Sequence, residues 1–160
     1  MQQLNPKAVW LFFIGFVLHW FFFFIFLSIW GIGLLRGEAS FSFLKWLWIL
    51  VPVFLVLCFI WAKLTYSFYR YELTENGFRK ELGVIYKKYI TIPYDRIQNV
   101  DIYRGILARL LGLSDLNIQT AGMSGAIGAE GRLPALSREV AEQLRDELIQ
   151  RARQSKNQGL

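Results

Sequence analysis

From Ala8 to Leu35 the chain carries no Asp, Glu, Lys or Arg, and no other feature restricts its fold as much. Wound as an α-helix at about 1.5 Å per residue, this run is ~40 Å long, more than the ~30 Å hydrocarbon layer of a bilayer. A cleaved secretory signal has an apolar core of only about 7 to 15 residues, so the run reads as a membrane span over 8–33, ending near Gly31 and Gly33. A second apolar run, 46–66, contains Lys63 as its one charge. A lysine that close to a helix end can carry its ammonium out to the interface, which predicts a second span. Pro52 removes one backbone donor there, and a mild kink is expected, of the kind a neighbouring helix accommodates.

Hydrophobic residues make up 54% of the 160-residue chain, a fraction that a soluble domain with a large core also reaches, so their distribution decides. All six Trp residues precede residue 62 and all seven Tyr residues lie from Tyr66 onward. The two halves therefore face different solvents. Trp10, Trp30, Trp46, Trp48 and Trp61 fall near the ends of the two apolar runs, where indole rings settle at the headgroup level. Lys7, Lys63, Arg70, Arg79 and Lys80 flank one side of the pair, five cations against two in the connecting segment. That asymmetry predicts a multi-pass plasma-membrane protein with both termini cytoplasmic. The expected division is a membrane domain over 1–67, a cytoplasmic domain over 68–155 and a polar tail over 156–160.

After Phe68 the apolar period changes to two, as in half-buried strands. Tyr69, Tyr71 and Leu73 alternate with Arg70, Glu72 and Thr74, and Asn76-Gly77 is expected to supply the positive φ angles of a tight hairpin turn. The return strand runs from Phe78 to Leu82 and stops at Gly83. A third strand is expected from Val84 to Ile92, closing at Pro93, which has no ladder donor. Asn99–Tyr103 and Asp115–Thr120 alternate as two more strands. The leucine-crowded Ile106–Leu111 between them reads as a short helix ended by Gly112. Gly122, Gly125, Gly128 and Gly131 mark a loop, and a last strand follows from Gly131 to Leu136. Ser137 then caps a helix whose apolar stripe is Val140, Ala141, Leu144, Leu148, Ile149 and Ala152. The fold class is α+β, nearly all antiparallel.

Gly77 aside, Tyr71-Glu72-Leu73-Thr74, Gly83, Ile92-Pro93, the run Arg96 to Val100 (Arg-Ile-Gln-Asn-Val), the run Gly105 to Leu113 and Thr120-Ala121-Gly122 together resemble the YdbS-like bacterial pleckstrin-homology (PH-like) family. The resemblance covers the whole soluble part. It implies paired N-terminal transmembrane helices, an antiparallel β-sandwich or barrel capped by the C-terminal helix, and no enzyme activity. It also implies a partner membrane protein carrying related PH-like domains, and structural roles for Gly77, Gly83, Pro93, Arg96, Ile97, Gly105, Arg109 and Gly112. The Gly/Ala loop from Met123 to Gly131 departs from the commonest family pattern.

Little in the residues points to chemistry. Cys58 is the one cysteine and His19 the one histidine, so neither a disulfide nor a nitrogen-sulfur metal site is expected, and no cofactor. His19 lies within the first span, where a proton relay would need an acid, and the first acid is Glu38; a neutral imidazole bonded to a neighbouring helix or a second protein is the reading preferred. The glycine loop lacks the Gly-Lys-Ser/Thr ending of a phosphate loop. Arg109 is expected to cap carbonyls or to pair with Asp95 or Asp115. The carboxylates are scattered singly, without an acid-base pair. From Phe68 on, 14 Lys and Arg oppose 11 Asp and Glu, too even a surface for nucleic acid.

Two function classes follow. The first is a non-enzymatic subunit that assembles with a partner membrane protein or with itself, suggested by the bulky aromatic surface from Phe21 to Phe24, Phe26 and Trp20. The second is a module that binds anionic lipid headgroups through Lys87, Lys88, Arg96 and Arg104, each cation contributing about 1 kcal/mol near such a surface.

Overall fold

The computed structural model describes residues 1–34, 44–120 and 131–158, with side chains at 27–34, 44–50 and 158 left aside. The connecting segment expected at 36–45 falls almost wholly outside this set, as does the loop with Gly122, Gly125 and Gly128. Of the five tryptophan anchors, Trp10 and Trp61 have described side chains.

The chain opens with a two-residue strand, β1 (Gln2–Gln3), followed by α1 (Ala8–Leu34) and α2 (Leu44–Ser67). The helices pack antiparallel: Trp10 and Phe13 meet Phe59 at 5.9 Å between ring centroids, and Phe24 meets Phe54 at 5.7 Å. Ala8 and Ala62 are fully buried at the base of the pair, where small side chains let helices approach closely. Pro52 lies inside α2. Among the described residues one helical stretch, Ala8–Phe26, is long and apolar enough to cross a membrane; the described apolar part of α2, Val51–Ser67, is shorter.

From α2 the chain passes into β2 (Arg70–Leu73), β3 (Gly77–Leu82) and β4 (Lys88–Pro93), a 3-10 turn at Tyr94–Arg96, β5 (Ile97–Tyr103), α3 (Ile106–Leu110), β6 (Leu113–Thr120), β7 (Arg132–Ser137) and α4 (Arg138–Gln158). Two antiparallel sheets result, ordered β1-β2-β3-β4 and β5-β6-β7. The sheet therefore does not close into a barrel, which corrects that alternative of the expected architecture: β4 turns through Tyr94–Arg96 into the second sheet instead of pairing with β5. Phe78, Leu113, Leu116, Leu133, Leu136 and Leu148 are almost wholly buried between the sheets and α4. Lys80 Nζ and the Tyr69 hydroxyl both donate to the Arg132 carbonyl, at 2.6 and 3.1 Å, and tie one sheet to the other.

Several elements depart from the sequence expectations for local reasons. β1 was not expected; its two polar residues pair with Arg70 and Tyr71 and extend the first sheet with a segment that the sequence reading assigned to the membrane part. Neither Asn76 nor Gly77 takes a positive φ. The turn is instead closed by Thr74, whose N–H and hydroxyl both donate to the Gly77 carbonyl, at 2.9 and 2.7 Å. Gly77 is required because a Cβ there would lie 2.4 Å from the Ile92 carbonyl oxygen. The third strand begins at Lys88 and not at Val84, since Gly83, at φ +111°, turns the chain away and leaves 84–87 as the connection. Ser137 caps α4 as expected, its Oγ accepting from the Val140 N–H at 3.4 Å.

Candidate functional site

The four cations proposed as contacts do not all lie at one end of the domain. β3 pairs with β4 so that Leu82 faces Lys88 and Gly77 faces Pro93, which places Lys87 and Lys88 at one end of the sheet and Arg96, just after Pro93, at the other. Six strand residues at about 3.3 Å each separate the two ends by ~20 Å. Lys87 pairs with Glu81 at 3.3 Å and lies 6.0 Å from the Phe68 ring. Arg104 donates from Nε to the Leu113 carbonyl at 3.3 Å, a contact that closes the loop around α3.

The residues expected to be structural take individual positions. Pro93 ends β4, Ile97 is buried at the start of β5, and Gly105 precedes α3 as its N-cap. Gly112, at φ +71°, follows α3 in the left-handed conformation that ends helices. Arg109 is exposed, and the expected partner Asp115 is engaged elsewhere: its carboxylate accepts from Arg132 at 2.5 Å and from the Ala135 N–H at 3.0 Å. This carboxylate supports a bulge in β7, where Ala135 has φ 57° and the pairing with β6 shifts between Ser114 and Leu116.

At the far end of the domain Arg151 donates to Glu147, the Thr74 carbonyl and the Tyr94 hydroxyl at 2.6, 3.2 and 3.3 Å. The network pins the last turns of α4 to the β2–β3 turn. Burial holds the Tyr94 phenol above its ordinary range, against the opposing pull of Arg151. The polar recess beside it, lined by Glu75, Asn76, Gln150 and Gln154 among others, is thus built around a satisfied structural contact.

A different surface gathers in the helix pair. Phe16, His19, Trp20 and Phe24 on α1 follow one another at helical spacing, and Phe54, Leu57, Cys58 and Trp61 on α2 do the same, so each set shares one face. Together they line an open groove of about 600 Å³. Trp20 and Trp61 keep roughly two-fifths of their surface exposed along it. His19 is also exposed and forms no hydrogen bond among the described residues. An aromatic groove containing one polar ring suits close packing by another apolar segment that brings one hydrogen-bond partner. The helical periodicity of this face was concealed in the sequence, because α1 is apolar all round and no polar side marks which face is inside.

A family model described as "Bacterial PH domain" matches residues 9–152. The chain is 31% identical over 106 residues to the UPF0699 transmembrane protein YdbS of Bacillus subtilis (strain 168), covering 66% of this chain and 62% of the relative. It is 32% identical over 92 residues to the UPF0699 transmembrane protein YdbT of the same organism, covering 58% of this chain and 18% of that longer protein. The matches thus span less than two thirds of either relative. No solved structure matches.

Proposed function

This chain belongs to the bacterial PH domain family, and from that premise we propose that it is a non-enzymatic membrane subunit that docks, through the groove between α1 and α2, onto a helix of a partner membrane protein. In this reading α1 and α2 cross the plasma membrane as an antiparallel pair. Lys7, Lys63 and Arg70 beside the soluble domain favour the cytoplasmic side for both ends of the chain. The observation that carries the proposal is the groove itself: an aromatic face, open on the helix pair, with His19 in it. Interhelical hydrogen bonds in membranes contribute roughly 0.6–2 kcal/mol each, so a partner that supplies an acceptor or donor to the imidazole gains specificity along with packing. A longer relative such as YdbT, of which this chain matches 18%, illustrates the kind of partner intended, a larger membrane protein with a related domain.

Gentle detergent extraction of the tagged full-length chain from its native membrane, followed by mass spectrometry, tests the proposal. A membrane protein is expected at fixed stoichiometry, and the Trp20→Ala/Phe54→Ala double variant is expected to lose it while the soluble domain keeps its melting behaviour. Recovery of the chain alone would defeat the assembly reading. A partner retained at full yield by the double variant would remove the groove from it.

A further inference from the structure

Among the described residues, the end of the domain from which the helices emerge also carries its most exposed large apolar side chains. β2 begins at Arg70, directly after α2, and Arg70 faces Glu81, so the Gly83–Lys87 connection lies at the α2 end of the sheet. Lys87, 6.0 Å from the Phe68 ring, confirms that placement. At the tip of this connection Ile85 and Tyr86 are 72% and 86% exposed.

A second apolar tip reaches the same end by an independent path. Asn5, three residues before α1, donates its N–H to the Ala135 carbonyl at 3.3 Å. Ala135 is bonded to Asp115, which pairs in register with Tyr103 at the end of β5. The α3 segment joins that end of β5 to the start of β6, and so lies at the level where α1 begins. Ile106 and Leu110, one helical turn apart on α3, are each 79% exposed, while Ala108 on the opposite face is buried. Burying such side chains is favourable, and the core of the domain leaves all four outside.

We propose that the Ile85–Tyr86 tip and the Ile106/Leu110 face of α3 seat in the interfacial layer of the same bilayer that α1 crosses, so that the domain rests on the membrane in one orientation. The surroundings are those of an interface on both sides. Trp10 and Trp61 lie near the helix ends, Lys7 precedes α1 and Lys63 lies in the last turns of α2, Lys87 closes the first tip beside Glu81, and Arg104 and Arg109 lie just before and within α3. Cations flanking exposed aromatic and aliphatic side chains match a layer of anionic headgroups over acyl chains. Arg96 and the β2–β3 turn, at the opposite end, take no part. The inference rests on α1 crossing the membrane and does not depend on the groove being occupied.

The test uses the purified full-length chain in vesicles of phosphatidylethanolamine and phosphatidylglycerol, with a diazirine-bearing photoreactive residue placed singly at position 85, 106 or 75. Glu75, exposed in the β2–β3 turn, is some five strand residues, or ~17 Å, farther from the helix ends. Illumination is expected to give lipid adducts at 85 and 106 and to leave position 75 without them. Lipid labelling at 85 and 106 no greater than at 75 would overturn the proposal, as would cross-linking of either position to a second copy of the chain in place of lipid. Because no partner protein is present, failure here leaves the co-purification result standing, and the reverse also holds.

Discussion

Leu4→Ala tests whether the N-terminal segment is a structural part of the two-sheet domain or merely a lead into α1. Leu4 is 3% exposed and belongs to the same buried cluster as Tyr69, Tyr71 and Leu136. Leucine-to-alanine changes in cores cost about 2–5 kcal/mol. A segment near a chain end relaxes by coming away from its neighbours, so the lower figure, about 2 kcal/mol, applies, and it is lost from local rather than global stability. At about 1.4 kcal/mol per factor of ten, the open form of the segment becomes ~30-fold more populated. Amide hydrogen exchange of the full-length chain in detergent micelles reads this directly: the peptide covering residues 1–8 is expected to exchange ~30-fold faster, while β6 and α4 keep their protection. Unchanged exchange in residues 1–8 would show that Leu4 does not hold β1. An equal rise across β6 would show that β1 opens only when the whole domain unfolds, and either result would refute the argument.

Gly83→Ala and Gly112→Ala separate steric contact from backbone conformation. Both glycines have positive φ, but a Cβ at Gly83 would fall 1.9 Å from the Tyr86 carbonyl oxygen, whereas Gly112 has open space. Gly112→Ala is expected to cost about 1 kcal/mol, the left-handed penalty alone, and Gly83→Ala clearly more; equal shifts in thermal melting would exclude the steric contribution. Alkaline stability gives a further check. Burial raises the pKa of Tyr69 well above the usual phenol range, and those of Tyr71 and Tyr94 as well. Raised folded-state values mean that the stabilisation is fully present below the unfolded phenol pKa of about 10 and is lost as pH climbs from there toward the folded values. Melting temperature is expected to fall above about pH 10; a melting temperature that stays constant well above that pH would contradict the buried Tyr69 hydroxyl bonded to the Arg132 carbonyl.

The parts of this fold that were legible in the sequence are those whose signal is local and one-dimensional. The charge-free run gave α1, the alternation around Tyr71 gave β2, and the stripe through Ala141, Leu144 and Leu148 gave α4. What was not legible depends on partners distant in sequence. Gln2-Gln3 has no strand pattern and becomes a strand because the edge of β2 offers it a ladder. Gly77 looked like a turn glycine and is instead a contact glycine, a role set by Ile92 fifteen residues away. Lys87 and Arg96 are close in sequence, yet β4 carries them to opposite ends of the sheet, so proximity along the chain misplaced the proposed cation surface.

The β1 strand changes what the membrane attachment can do. A domain hung from α2 alone would pivot about Phe68 and Tyr69. Here the segment before α1 is also fastened, through Gln3 beside Arg70 and through Asn5 bonded to Ala135. One tether reaches the first sheet and the other joins both sheets, so the two helices leave the domain as a fixed pair. In the proposed arrangement, fixing the exit directions of both helices fixes which end of the domain faces the lipid, and that end bears Ile85, Tyr86, Ile106 and Leu110. If Leu4→Ala frees residues 1–8 as calculated, lipid adducts at position 106, which depends on the Asn5 tether, should fall more than those at position 85, which follows α2; photolabelling both positions in the Leu4→Ala background checks this, and an equal fall at both would mean that β1 does not set the orientation.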